Sequence, residues 1–211
     1  MMPQDQQYPI VETFLSVQGE GIFSGARAFF IRTGGCCVRC PWCDTKNSWG
    51  RDSDFIRLGA MELAEKSLAS GADFAVITGG EPCMHNLEPL FKALNSAGVK
   101  IHLETSGVIF PGENAMKYCD WTTLSPKLFA RPATEMLEIA DELKFVVGNP
   151  SELDLYDAFL EAAKNAGYVW LNPEWSKRAD SDLLKAMFEH VLKKGSPYRL
   201  GWQLHKNYFV R

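Results

Sequence analysis

Short apolar runs of strand type alternate along this chain with amphipathic stretches of helix length, and no other feature constrains the fold as strongly. Strand-type runs fall at 28–33, 74–78, 99–104, 121–125, 143–147, 168–171 and 199–203, and helical spacing of apolar residues at 60–70, 87–97, 152–165 and 181–194. Gly71, Gly98, Gly167 and Gly195 follow these helical stretches, where a residue without Cβ most easily ends a helix. Strands alternating with helices make βαβ units and a mostly parallel sheet. Between Ser106 and Lys127 there is room for a strand but no sign of a long helix, so some crossovers are abbreviated. A complete eight-stranded (β/α) barrel takes roughly 250 residues, more than the 211 present. The expected fold class is α/β, a single domain over 1–211 built as a partial barrel or open sheet of about six parallel strands.

In such a fold the loops after the strands carry the chemistry. Nearly every strand-type run here ends in a polar cluster. Arg32 closes the first, ahead of Gly34, Gly35 and a group of cysteines, and Thr78-Gly79-Gly80-Glu81-Pro82 closes the second. Glu104-Thr105-Ser106-Gly107, Ser125-Pro126-Lys127 and Asn172-Pro173-Glu174 close later ones. A formal net charge of -4 argues against a nucleic-acid partner held by bulk charge. Against that background residues 21–51 carry Arg27, Arg32, Arg39, Lys46 and Arg51 with the single acid Asp44, a local basic patch suited to an anion. No run approaches the ~18 apolar residues of a membrane span. Residues 1–10 have neither the basic nor the apolar region of an export signal. The expected setting is cytoplasmic, with no membrane.

Four of the six cysteines, Cys36, Cys37, Cys40 and Cys43, crowd into eight residues, whereas a disulfide framework spreads its staples along the chain. Metal ligation accounts for them better. Cys36, Cys40 and Cys43 have C-x3-C-x2-C spacing, which wraps three thiolates around a cubane iron-sulfur cluster and leaves one iron open. A structural zinc is the competing reading; it needs a fourth ligand, for which Cys37, Cys83 and His102 are available. An electron carrier fits less well, because the vacancy asks for a ligand. Cys37, Cys83 and Cys119 otherwise read as ordinary small, partly buried residues.

With Trp42 just before its last cysteine, this loop resembles the signature of radical S-adenosylmethionine (SAM) enzymes, whose fold is a partial (β/α) barrel. Gly79-Gly80-Glu81 resembles their GGE turn, and Ser125-Pro126-Lys127 a cofactor-side loop whose lysine meets an anion. The resemblance implies a [4Fe-4S] cluster on Cys36, Cys40 and Cys43. It implies SAM held by Trp42, Asp44, Gly79, Gly80, Glu81, Ser106, Ser125, Pro126, Lys127, Asn172 and Pro173. SAM bound to the open iron would yield, with one electron, a 5′-deoxyadenosyl radical.

A narrower resemblance covers nearly the whole chain. Thr13-Phe14-Leu15-Ser16-Val17-Gln18-Gly19-Glu20-Gly21, Arg32 four residues before the first cluster cysteine, Cys40-Pro41-Trp42-Cys43-Asp44-Thr45 and the closing Gln203-Leu204-His205-Lys206 are similar to the 7-carboxy-7-deazaguanine synthase family. That resemblance implies ring contraction of 6-carboxy-5,6,7,8-tetrahydropterin with loss of ammonia, SAM being re-formed and magnesium required. The substrate would lie against Val17, Gln18, Gly19, Glu20, Arg32, Thr78 and His205, with the terminal carboxylate of Arg211 reaching the pocket. Arg32 suits the carboxylate, and Gln18 and Glu20 the guanidine-like ring edge. Magnesium would sit on Thr45, with Asp44 holding its waters. A reduced flavodoxin or ferredoxin is the implied electron donor, docking near Arg39, Lys46 and Arg51, and the implied assembly is a homodimer in a queuosine or other deazapurine pathway. A radical SAM activase acting on a partner protein is the alternative; in it the segment Gln18 to Gly21 has no role.

Overall fold

A computed structural model of the protein describes residues 5–51 and 54–210. Its strands form one sheet in the order β3-β1-β2-β4-β5-β6-β7-β8-β9. They are β1 (Gln7–Val17), β2 (Arg27–Thr33), β3 (Ile56–Gly59), β4 (Phe74–Gly79), β5 (Ile101–Thr105), β6 (Trp121–Leu124), β7 (Glu142–Val147), β8 (Tyr168–Pro173) and β9 (Tyr198–Leu200). From β2 through β4 to β9 every neighbouring pair is parallel, a partial barrel. The first strand-type run is joined by two strands with no counterpart in the sequence reading: β1, antiparallel to β2, and β3, antiparallel to β1. The last run, read as 199–203, is paired only to Leu200, because the chain then turns over the barrel mouth.

Crossovers are uneven, as the sequence indicates. The long ones are α1 (Ala60–Ala69), α2 (Glu88–Ser96), α5 (Leu153–Ala162) and α6 (Ser181–Lys194); α3 (Glu113–Met116), α4 (Thr134–Ile139) and the closing α7 (Leu204–Asn207) are one or two turns. Gly71, Gly98 and Gly195 stand at positive φ just past α1, α2 and α6. Gly167 is not such a stop. The helix before it ends at Ala162, and the Gly167 N–H instead donates to Asp141 O at 2.9 Å.

Side chains alternate across each strand, and the two faces have different fates. On β7, Leu143, Phe145 and Val147 join the main core, Phe145 stacking on Tyr156 of α5 with centroids 4.4 Å apart. Glu142, Lys144 and Val146 face the other way, into the barrel. Near the N-terminal ends of the strands that interior is filled by a small cluster of Ala28, Phe30, Phe74 and Val76, packed against Phe14, Phe23 and Ala26. His102 completes it, stacked on Phe74 at 3.9 Å. Toward the opposite ends the interior turns polar.

Burial pushes the His102 imidazole down to about 4, against the pull of Asp120. An unfolded histidine titrates near 6.5, so between about pH 6.5 and 4 the unfolded chain binds a proton that the folded chain refuses. Stability is lost as pH falls through that window, by up to about 3 kcal/mol from this group. His102→Phe should flatten that part of the profile relative to the parent, measured by urea unfolding at pH 7 and pH 4.5.

Candidate active site

The polar half of the barrel encloses a cavity of about 270 Å³. Cys36, Cys40, Trp42, Cys43, Asp44 and Thr45 line it from the loop after β2, and Thr78, Gly79, Gly80 and Glu81 from the end of β4. Ser106, Ser125, Lys127, Asn172 and Pro173 reach it from the ends of β5, β6 and β8. Val17, Gln18, Gly19 and Glu20 arrive from the β1–β2 turn, Arg32 from the end of β2 and His205 from α7. Pro126 does not line the cavity: it is buried behind it, while the side chains on either side face in. Arg211 lies outside the described residues.

All six cysteines are free. Backbone N–H groups reach two of the sulfurs, Arg39 to Cys36 Sγ and Thr45 to Cys43 Sγ, each at 3.4 Å. Among the described residues no three Cys, His, Asp or Glu side chains converge on a single ion. A tetrahedral zinc needs that convergence, whereas a cubane takes each thiolate on a different iron. Cys83 and Cys119 sit elsewhere in small thiol hydrogen bonds, to the Thr105 hydroxyl and to the Trp121 carbonyl, and burial pushes both thiols up.

Glycines bring the β4 turn against the cysteine loop. The N–H of Gly80 donates to Thr33 O and that of Glu81 to Gly35 O, both at 2.9 Å. A Cβ on Gly80 would lie 2.0 Å from Gly35 O. The Glu81 carboxylate, almost wholly buried, accepts from Cys83 N–H at 3.1 Å, Ser106 N–H at 2.9 Å and the hydroxyls of Thr105 and Ser106. Four donors saturate a carboxylate. Glu81 therefore ties the β4 loop to the β5 loop, a role that nothing in the tripeptide itself announces.

Deeper in, charged groups are arranged in pairs. Lys144 pairs with Glu20 and stands 3.9 Å from Glu104. Glu104 accepts from Gln18 Nε2 at 2.9 Å and the Thr78 hydroxyl at 3.5 Å. Burial alone would lower the Lys144 ammonium, but Glu20 and Glu104 outweigh it and hold it above its ordinary range. Burial likewise opposes ionisation of Glu20, and Lys144 outweighs that. The sequence placed Glu104 in a polar cluster at a strand end without giving it a role and did not single out Lys144; inward-pointing charges inside strands are the signal that marks them.

Two buried groups are unbalanced. Lys127 donates only to neutral acceptors, Ser125 O at 2.8 Å and Ser125 Oγ at 2.6 Å, and burial pushes its ammonium down to about 8. Asn172 Oδ1 is buried with no hydrogen-bond partner. A buried cation asks for an anion and an orphaned acceptor for a donor. At the rim, Arg32 Nε donates to Glu12 Oε1 at 3.0 Å, and Asp44 pairs with Lys206 at 2.7 Å. Thr45 Oγ1 donates to Asp44 Oδ1 at 3.1 Å, so the two stand as neighbouring hard oxygens. The C-terminal segment closes the mouth: Leu204 N–H donates to Gly19 O at 2.9 Å, and His205 packs so closely that a Cβ on Gly19 would meet its Nδ1 at 2.0 Å.

A partial barrel whose three-cysteine loop and Gly-Gly-Glu turn interlock over one cavity is the architecture of a radical SAM enzyme. No protein-family model matches the chain. Curated relatives do: 7-carboxy-7-deazaguanine synthase of Synechocystis sp. is 40% identical over 97% of this chain and 94% of its own, and that of Escherichia coli 39% identical over 95% and 97%. The crystal structure of QueE from Escherichia coli superposes with a TM-score of 0.79 at 32% identity, covering 94% of this chain and 95% of that one. The chain belongs to the 7-carboxy-7-deazaguanine synthase family.

Proposed function

We propose that this protein contracts the ring of 6-carboxy-5,6,7,8-tetrahydropterin to 7-carboxy-7-deazaguanine with release of ammonia, using a [4Fe-4S] cluster, SAM as a regenerated cofactor and magnesium. The observation that carries this reading is the meeting, in one cavity, of the cysteine loop with Arg32, Gln18, Glu20 and His205. Cys36, Cys40 and Cys43 would hold the cluster, which with SAM would supply the radical chemistry for reversible hydrogen abstraction.

This chain's residues do the rest. Lys127 gives a carboxylate the buried cation it lacks, and Asn172 Oδ1 accepts from an amino or hydroxyl group, which fits SAM. Gly79 and Gly80 let a ligand approach main chain, and Trp42, Ser106, Ser125 and Pro173 wall the same side. With the Glu81 carboxylate already saturated, acceptance from the SAM ammonium falls to backbone carbonyls of that turn. Arg32 holds the pterin carboxylate, its pair to Glu12 using only Nε on one edge of the guanidinium. Gln18, the Gly19 backbone and Glu20 meet the pyrimidine edge, Val17 and Thr78 its faces, and His205 orients the ring from the closing segment. Thr45 and Asp44 offer the hard oxygens magnesium prefers. The assembly is a homodimer, and the product feeds a queuosine or related deazapurine pathway in the cytoplasm. A reduced flavodoxin or ferredoxin supplies the electron at the face carrying Arg39, Lys46 and Arg51; the two arginines are exposed there.

The test is anaerobic. Enzyme with reconstituted cluster, SAM, reductant, magnesium and the tetrahydropterin should form 7-carboxy-7-deazaguanine, identified by mass. Arg32→Ala should raise KM about 100-fold while leaving iron content unchanged. SAM cleavage without any deazapurine would overturn the substrate.

A further inference from the structure

Lys144 is unusual among the inward-facing residues of the barrel. It is an ammonium with 12% of its side chain exposed, set between two carboxylates, and it lines the cavity instead of lying behind it. A buried pair that served only to join strands would match one anion to one cation. Here a second carboxylate, Glu104, stands 3.9 Å away, beyond hydrogen-bonding distance. An ammonium has three donors, and the contact to Glu20 uses one. The two carboxylates are steadied from other directions, Glu104 by Gln18 and Thr78 and Glu20 by Asn172 Nδ2 at 3.4 Å. A donor is thus held beside two acceptors at one wall of the cavity.

We infer that Lys144 reads the ring carbonyl of the substrate: with Glu20 and Glu104 it forms a donor–acceptor array complementary to the 4-oxo, N3–H and 2-amino edge of a pterin, and it selects 4-oxo over 4-amino pteridines. The inference rests on the pterin reading above and deepens it. Arg32 anchors the carboxylate at the other end of the ring, so an analogue cannot turn over to hide its 4-amino group. That group would then place a donor against a donor on a wall that is largely buried, where an unpaired polar group is costly.

Equilibrium binding decides it. The anaerobically reconstituted enzyme with SAM is titrated with two fluorescent, unreactive probes, 6-carboxypterin and 2,4-diaminopteridine-6-carboxylate, which share the carboxylate and differ at position 4 and in the hydrogen on N3. The parent protein should prefer the 4-oxo probe at least about tenfold. Lys144→Met should shrink that preference at least about threefold, the mismatch at N3 persisting, whereas Arg32→Ala should weaken both and leave their ratio standing. Lys144→Gln carries the same expectation, since an amide can donate to an oxo group or accept from an amino group, and it keeps the test if the methionine variant does not fold. A parent without preference, or variants that weaken both probes equally and keep the ratio, overturn the role of Lys144. A parent that binds neither probe overturns the pterin reading itself.

Discussion

Cys40→Ala is expected to abolish iron binding, SAM cleavage and product formation while leaving the fold in place. Cys40 is half-buried beneath Lys127; burial pushes its thiol up and the lysine ammonium pulls it back toward the thiolate that iron requires. With it gone, two thiolates remain on a loop that has no other cysteine at the right spacing, and a cubane held by two ligands is lost. Iron should fall from about four atoms per chain to near none. Because the electron would reach SAM only through the cluster, activity should fall by about three orders of magnitude or more. Thermal unfolding of the iron-free protein should barely move, since Cys40 stands at the cavity rim and outside the hydrophobic core. Cys37→Ala is the matched control: that thiol is exposed and off the spacing, so iron and activity should stay. Retention of the cluster by Cys40→Ala, with loss in Cys37→Ala, would reassign the third ligand.

What was legible in the sequence was local. The cysteine spacing and the Gly-Gly-Glu turn each lie within eight residues, and each lines the cavity. The parallel strands were visible as apolar runs because helices cover their outer faces. The same rule hid what mattered inside. A strand of a closed α/β fold reads as continuously apolar, so Glu104 and Lys144 look like interruptions at strand ends, although they are the inward positions of β5 and β7. β1 was hidden for another reason. Pro9 within it argues against a strand flanked on both sides, and the strand tolerates it near an irregularity in its pairing with β2 between Ile10 and Glu12. β3, four residues long, is defined by its pairing with β1 and by nothing in its own pattern. Glu81 shows the limit for sites: the motif marks the residue, but three of its four donors come from Thr105 and Ser106, more than twenty residues on.

Gly79→Ala should be the most damaging small substitution at this site. Gly79 has φ 141, a conformation that side chains rarely adopt, and its missing Cβ would lie 2.3 Å from Thr33 O and 2.4 Å from Thr33 N. Those atoms belong to the end of β2, paired with β4 in register Thr33 to Gly79, and cannot swing aside as a side chain would. Backbone strain and overlap together should cost about 3 kcal/mol or more, roughly a 10 °C fall in Tm for a chain of this size. Gly98→Ala is a milder reference in open space: its φ of 75 is more accessible to a side chain than 141, and a Cβ there meets nothing within 4 Å. It should cost only about 1 kcal/mol. The difference between the two variants combines the stricter conformation at Gly79 with the pressure of the β4 turn against the chain entering the cysteine loop. Relief of that overlap must move Thr33, and through Gly34 and Gly35 the first cluster cysteine, so the folded fraction of Gly79→Ala should also form product more than about tenfold slower at low temperature. Equal stability losses in the two variants would mean that the loops have slack, and that the glycine pair serves the ligand alone.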